Sequence, residues 1–591
     1  MAKTSKKDIG AIVHKSGVSF RVWAPFAEAV AVTGSFNNWA ETPLANENDG
    51  YWAADIQEAE AGQEYRYVIN SGHSKLIKND PRALQLTTTA GNSVIVDTRF
   101  DWNGDDFDIQ APEEQVIYEL HVGTFNRPDQ ATTGSFEQAM AKLDHLAELG
   151  ITTIELMPIG GMSMVREWWG YTPDYIYAVE TLYGGRHQLL EFVRAAHKRG
   201  IAVILDVVYN HFGPDSNLDL WQFDGWSENG KGGIYFYNDW RSTTPWAETR
   251  PDYGRPEVRQ YILDNVKLWL QDCHLDGLRV DSTIFIRNAE GHNDDPATDI
   301  PEGWSLLQAI NTLAQKIKPL ALTIGEDVGV NSYLTKPASQ AGAGFVSQWG
   351  VTFPHALRTA LDPVNDADRN LNLIIEELSR EFNGNPFQRV VYSDSHDSAA
   401  NGSARLSEEI APGHPESIYA RQRSLLAAVI VLTTPGIPML LQGQEFMEGG
   451  SFNDWQGLDW NNAERYAGII TAYRHLIALR RDLHGVSSGL KGQSIKIIQT
   501  DDSNKVLGYH RWSWGGPKDD AVVIINFSNQ QYDNYGLNFP RSGTWRVRFN
   551  SSWKGYSLDF KDVQVPDVVV EANQGNLVLP AYSAIILSQD A

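Results

Sequence analysis

Two hydrophobic rhythms divide the chain into three stretches. From residue 11 to about 98 apolar and polar positions alternate in short runs broken by turns: "GVSFRVWAP", "EAVAVTGSF", "GYWAADI" and "EYRYVIN". Alternation with period two marks strands with one buried face, and this spacing predicts a small β-sandwich. An acidic, proline-containing connector follows, "DTRFDWNGDDFDIQAPEEQ". Near residue 116 the rhythm changes. Near-continuous apolar runs, the pattern of strands covered on both faces, begin to alternate with longer helical patterns.

Eight strand candidates occur in the next 330 or so residues: "VIYELHV", "TTIELMPI", "IAVILDVVY", "DGLRVD", "LALTIGED", "GFVSQWG", "RVVYSDS" and "GIPMLLQG". In "SFEQAMAKLDHLAELG" a helical stripe of Phe136, Met140, Leu143 and Leu146 follows Ser135 and Gln138, spaced as a capping box, with Gly150 as the stop. "PEVRQYILDNVKLWLQDCH" opens with Pro256 at a first helical position. Eight strand–helix units predict an α/β chain built around a (β/α)8 TIM barrel, with residues 211 to 255 inserted after the third strand. From about 485 the alternation returns ("SIKIIQT", "KVLGYHRW", "DAVVIINFS", "WRVRFN", "GNLVLP", "YSAIILSQ"), predicting a C-terminal antiparallel β domain. The expected division is a β-sandwich over 1–100, the barrel over 101–484 and a β-sandwich over 485–591.

Composition narrows the function. With 591 residues the chain exceeds one ordinary core. Hydrophobic content of 42% and charged content of 21% are those of a globular protein. The net charge of −25 argues against a nucleic-acid partner, since phosphate neutralisation needs a basic surface. No apolar run approaches the roughly 20 residues that span a bilayer. "MAKTSKKDIG" lacks a secretory apolar stretch, so a cytoplasmic protein is expected; the expected oligomeric state is a monomer. Cys273 is the sole cysteine, which rules out an intrachain disulfide, and its place on an apolar pattern reads as inert core. The 19 Trp and 23 Tyr add weight to a carbohydrate partner, because sugar rings stack their C–H faces on aromatic side chains.

Barrels of this kind carry their chemistry at the C-terminal ends of the strands. Those ends bring Asp206, Asn210 and His211 from strand three, Arg279 and Asp281 from strand four, Glu326 and Asp327 from strand five, and His396 and Asp397 from strand seven. Opposed carboxyls at one mouth are what glycoside cleavage needs: one attacks or stabilises the anomeric carbon, the other protonates the leaving oxygen. Arg279 is expected to keep Asp281 ionised and oriented, and a third carboxylate to raise the acid's pKa. Both histidines can donate hydrogen bonds to sugar hydroxyls. No zinc-protease helix or phosphate loop occurs. No cofactor or metal is expected.

The ordered stretches "DVVYNH" (206–211), "GLRVD" (277–281), "GED" (325–327) and "SHD" (395–397) resemble the four sequence regions of the α-amylase family of glycoside hydrolases and transglycosylases, and "WGYTPDYIYAVETLYGG" (169–185) resembles its second-strand loop. The resemblance runs over roughly 115 to 480. It implies Asp281 as nucleophile, Glu326 as general acid/base and Asp397 as the carboxylate that stabilises the transition state. It also implies that Arg279 orients the nucleophile, that Asp206, His211 and His396 hold the sugar, and that Tyr171 stacks on it. The substrate would be an α-1,4-linked glucan such as glycogen, starch or maltooligosaccharides, cleaved with retention.

"FRVWAPFAEAVAVTGSFNNW" is similar to the β-sandwich that precedes many such barrels, with Trp39 and Trp52 as glucan platforms or as core. "YGRPEVRQYILDN" and "GQEFMEGGSFNDWQGLDW" look like glycogen branching enzymes. "YELHVGTF", "IELMPI" and "NHFGPD" are equally similar to maltooligosyltrehalose trehalohydrolases. Ser282-Thr283 and Asp327 depart from the Ala-Val and second Glu usual in branching enzymes, and Asn401 and Arg405-Leu406 look like the trehalohydrolase pattern. Asn210 corresponds to a position that binds structural calcium in many amylases, and is equally a turn residue. The favoured reading is branching. Trehalose release, plain amylase hydrolysis and a non-catalytic glucan-binding protein are the alternatives.

Overall fold

The computed structural model describes residues 8–72, 74–162, 169–213 and 218–590. The first residues of "MAKTSKKDIG" and the last two of "NHFGPD" lie outside them. Eight strands close into an all-parallel barrel: β1 (Ile117–Leu120), β2 (Thr153–Leu156), β3 (Ala202–Val207), β4 (Gly277–Val280), β5 (Leu322–Gly325), β6 (Ser347–Trp349), β7 (Arg389–Val391) and β8 (Ile437–Leu441). Closure is made by β1 pairing with β8, Ile117 opposite Met439. All eight sequence-predicted strands are present.

Period-two alternation decides what each strand sends inward. Ile117, Ala202, Ile204, Leu322, Ile324, Val390, Ile437 and Met439 pack together inside the barrel. Their alternates Tyr118, Val203, Leu205, Leu278 and Val391 join the large core under the helices. The same alternation carries Glu119, Asp206, Arg279 and Glu326 inward, one or two layers above the apolar plug. Gly277 at the start of β4 is required by close approach: a Cβ there would lie 1.9 Å from the Leu322 carbonyl oxygen.

The helices follow the expected order with two differences. The predicted helix over 135–149 is two short ones, Phe136–Met140 and Leu143–Leu149. The Ser135 hydroxyl donates to the Gln138 side chain instead of capping a backbone N–H, so no capping box forms. Gly150 does terminate the second helix, at φ 97°. After β5 only 3-10 turns occur (Ser332–Leu334 and Ala338–Gln340), so the fifth unit lacks its α-helix. A helix does begin at Pro256, running to Lys267 and continuing as a π turn through Asp272. It delivers Cys273, fully buried, where burial pushes the thiol up to about 12.

Two antiparallel sheets form the N-terminal sandwich, one centred on Gly17–Trp23 and Tyr51–Ile56, the other on Ala29–Gly34 and Glu64–Ser71. Trp52 is core, its indole N–H donating to the Ala24 carbonyl at 3.0 Å, and is no platform; Trp39 is 45% exposed. Phe26 stacks on Trp226 of the insertion after β3 at 4.6 Å, tying the sandwich to the barrel's upper rim. The C-terminal unit is a six-stranded antiparallel sheet covered by the pair Tyr532–Asn538 and Gln574–Leu579 around Trp545. It docks through Tyr509, whose hydroxyl meets the Thr433 hydroxyl at 2.5 Å. No helix among the described residues is long and apolar enough to cross a membrane.

Candidate active site

One side chain organises the mouth of the barrel. Arg279, fully buried, donates from Nη1 to Asp206 at 2.6 Å and to Asp281 at 2.9 Å, and its Nη2 meets Glu326 at 3.0 Å. Register explains the first contact, because Asp206 and Arg279 are direct partners on the paired strands β3 and β4. The guanidinium lies 4.2 Å from the ring centroid of Trp349 on β6, which covers its face. A charge pair buried alone costs more than it returns. Here one cation serves three carboxylates, each from a different strand end.

Asp281 is held from both sides: Arg279 on one oxygen, and the Asn210 amide N–H on the other at 2.9 Å. The Asn210 oxygen in turn meets His211 Nδ1 at 2.8 Å, so both ends of this amide are spent on orienting neighbours. Ser282, next in the chain, has φ 40°, a left-handed conformation that costs a non-glycine residue about 1–2 kcal/mol. The turn aims the Ser282 N–H at Glu326 Oε2, 2.9 Å away. Thr283 donates its N–H and its hydroxyl to the Glu326 carbonyl at 2.8 and 2.6 Å. The departures at 282 and 283 thus brace the ends of β4 and β5 against each other.

Asp281 and Glu326, held by the same guanidinium, act on each other's charge. Burial, reinforced by the charges of Glu326 and Asp206, lifts Asp281 well above the usual carboxylate range against the pull of Arg279. Burial also pushes Glu326 up, but Arg279 and the Ser282 N–H outweigh it and leave that carboxyl lowered. Two carboxyls this close oppose each other's ionisation. Arg279 therefore orients Asp281 as expected and favours its ionised form, while burial and the neighbouring carboxylates work against it.

Asp281, Glu326, Asp397, Tyr171, His211, Arg279 and His396 line a single cavity of about 340 Å3. Asp206 lies behind it, 2% exposed, accepting from Tyr171 at 2.6 Å as well as from Arg279. The Tyr171 ring stacks on His396 at 5.0 Å. His211 stacks on Trp246 at 4.8 Å, and burial holds it neutral, down to about 3. Asn401 donates to Asp397 at 2.8 Å. Asp327 takes no part: it is fully buried and accepts both Arg287 Nε and Nη2 at 2.7 and 3.0 Å.

Sequence reasoning missed Trp246, Phe285 and Val328 on the rim, Trp349 under Arg279, and Glu119, which reaches His396 from β1. Only Glu119 left a signal, a charge at an inward-facing position of the apolar run "VIYELHV".

Three family models match the chain. "Alpha amylase, catalytic domain" matches residues 120–222 and 221–467, "Carbohydrate-binding module 48 (Isoamylase N-terminal domain)" residues 8–83, and "Alpha amylase, C-terminal all-beta domain" residues 497–590. Among curated relatives, a 1,4-alpha-glucan branching enzyme GlgB from Corynebacterium jeikeium is 30% identical over 572 residues, covering 92% of this chain and 77% of the relative. One of the same name from Dechloromonas aromatica is 30% identical over 92% of this chain and 89% of the relative. Among solved structures, a putative alpha amylase from Salmonella typhimurium superposes with TM-score 0.74 at 22% identity over 99% of this chain and all of that one. A pullulanase complexed with maltotetraose from Anoxybacillus sp. LM18-11 superposes with TM-score 0.76 at 21% identity, over 99% and 88%.

Proposed function

The chain belongs to the alpha-amylase family, and we propose that within it the protein is a 1,4-α-glucan branching enzyme acting by retaining double displacement. The observation that carries the chemistry is the single guanidinium of Arg279 gripping Asp281 and Glu326 together. The two carboxyls lie 2.9 and 3.0 Å from that one side chain, a closeness that suits a retaining pair and not the about 6.5–9.5 Å that an inverting pair leaves open for water. Asp281 attacks the anomeric carbon and Glu326 protonates the departing oxygen. Glu326 then takes a proton from the acceptor hydroxyl, which displaces Asp281. For the first step Glu326 has to carry a proton and Asp281 has to be ionised. A sugar ring between the two carboxyls weakens the influence of the Glu326 charge that raises Asp281. Asp397, steadied by Asn401, faces the positive charge that develops on the ring. Tyr171 supplies the stacking face, and His211 and His396 meet the hydroxyls.

Branching differs from hydrolysis only in the acceptor that reaches the covalent intermediate. Two curated branching enzymes of 30% identity over 92% of the chain support the glucan acceptor. The Asn401–Asp397 contact favours a second reading, a maltooligosyltrehalose trehalohydrolase, because Asn401 belongs to the trehalohydrolase-like pattern. Incubation with amylose, and separately with maltooligosyltrehalose, decides between them. New α-1,6 linkages without rising reducing ends are expected. Free trehalose would select the second reading, rising reducing ends on amylose a plain amylase, and no product in either reaction would sink the enzymatic proposal.

A further inference from the structure

Glu119 is an inward carboxylate of β1, 1% exposed, and its two oxygens are spent on one residue. Oε1 lies 2.5 Å from the ring Nδ1 of His396, and Oε2 accepts the His396 backbone N–H at 2.9 Å. The partners are 277 residues apart and meet only because barrel closure brings β1 and β7 to either side of β8. With Nδ1 committed, Nε2 is the ring nitrogen left for the cavity that His396 lines.

We propose that Glu119 is the positioning residue of His396: it holds the ring as an imidazolium whose Nε2–H points at the sugar in the reacting subsite. This rests on the glucan-cleaving reading above. His396 then supplies a hydrogen bond that cannot reverse its polarity, together with a positive charge in a site crowded with carboxylates. The surroundings are consistent with that charge. Asp206 from β3, Glu326 from β5 and the adjacent Asp397 favour it, and Arg279 from β4 opposes it. The Tyr171 hydroxyl donates to Asp206 and so presents no anion. His121, at the end of β1, is held neutral by burial, its pKa lowered to about 3. Burial disfavours the charged His396 ring, but Glu119, by charge and by hydrogen bond, outweighs it and lifts the residue above the ordinary imidazole value. Burial, and then the charge of Glu119, lift Glu155, the register partner of Glu119 on β2, well above the usual carboxylate range, which disfavours a second anion beside the ring.

The test is the pH profile of kcat/KM for Glu119→Gln, which keeps the size and an acceptor for Nδ1–H but removes the charge. The alkaline midpoint should move down by about one pH unit or more, so that kcat/KM falls roughly tenfold at pH 8 and less than about threefold at pH 5.5. Were that limb set by Glu326, replacing a neutral Glu119–His396 ion pair with two neutral groups would leave it in place or raise it. An unmoved limb, or an equal loss at every pH, overturns the proposal and leaves Glu119 a packing residue.

A second measurement uses the unaltered chain labelled with 15N-histidine, the His396 ring signals being identified by their loss in His396→Gln. Both ring nitrogens are expected at imidazolium shifts at pH 7. A neutral-ring signature at that pH overturns the proposal even if Glu119→Gln does not fold. This readout needs no turnover, so it stands apart from a failure of the glucan reading.

Discussion

Strand β4 carries a buried aspartate at each end, and the two ends of the barrel treat them differently. At the bottom, Asp276 accepts from His197 at 2.9 Å, from Lys318 at 2.8 Å and from the Val203 N–H at 2.8 Å. His197 reaches on to Asp105 of the acidic connector at 2.8 Å, and His274 joins Asp105 at 3.1 Å while stacking on Trp102 at 3.7 Å. Two carboxylates face three cationic or protonatable partners, and the connector's aromatic rings cover the set. At the top, Asp281 shares one arginine with Asp206 and Glu326 beside an open cavity. Charge is matched where the fold is to be held, and carboxylates crowd one arginine where, in the proposed reaction, positive charge develops on the sugar ring. An under-compensated carboxylate cluster costs stability, and that cost is what sets proton affinities apart for catalysis.

The comparison is broken most sharply by removing one carboxyl from each end. Asp281→Asn should lower turnover by about ten-thousandfold, since the attacking carboxylate is gone. It should leave the melting temperature unchanged or a few degrees higher, because one of three buried carboxyls competing for Arg279 leaves the cluster. Calorimetry showing a large destabilisation would mean that the top is not frustrated. Asp276→Asn should do the reverse, costing about 3–5 kcal/mol in denaturant unfolding by stranding buried partners. Activity per folded molecule should stay within about twofold, the two sites being independent. A matching collapse of kcat would erase the distinction between the ends.

A smaller effect sharpens it through pH. Burial works against a charged His197, but the hydrogen bonds and charges of Asp276 and Asp105 win and raise its pKa above the ordinary value. Its contribution to stability is therefore complete below an unfolded-state pKa of about 6.5 and is lost as pH rises through the folded value. Melting temperatures measured from pH 6 upward should fall, and the slope should flatten in His197→Gln; an unchanged slope would remove His197 from the account. Smallest of all, Trp102→Ala should cost roughly 1–2 kcal/mol of stability through the lost stack on His274, with kcat and KM unmoved.

The bottom cluster also marks what sequence reasoning could not reach. The connector read as an acidic spacer, because nothing in "DTRFDWNGDDFDIQAPEEQ" announces that Asp105 meets His197 and His274, 92 and 169 residues away. The top was more legible. Strand ends carry the chemistry in a parallel barrel, so counting apolar runs brought Asp281, Glu326 and His396 to one mouth before any coordinates. Glu119 escaped because its strand contributes no recognisable motif, only a single charge in an apolar run. Asp327 misled, since a carboxylate next to Glu326 looks like part of the site until the strand's alternation turns it toward Arg287.

The sequence by itself determined which positions face inward and in what order the strands arrive. Both follow from a period-two apolar pattern that any covered strand has to obey. Only the tertiary structure decided which charges share a partner, because Arg279 with three carboxylates, and Glu119 with His396, are contacts between segments whose separation along the chain carries no information about distance. Proton placement in the buried Asp281–Glu326 pair belongs to that second category too: it depends on burial and on neighbours contributed by other strands, and neither is written in the residues themselves.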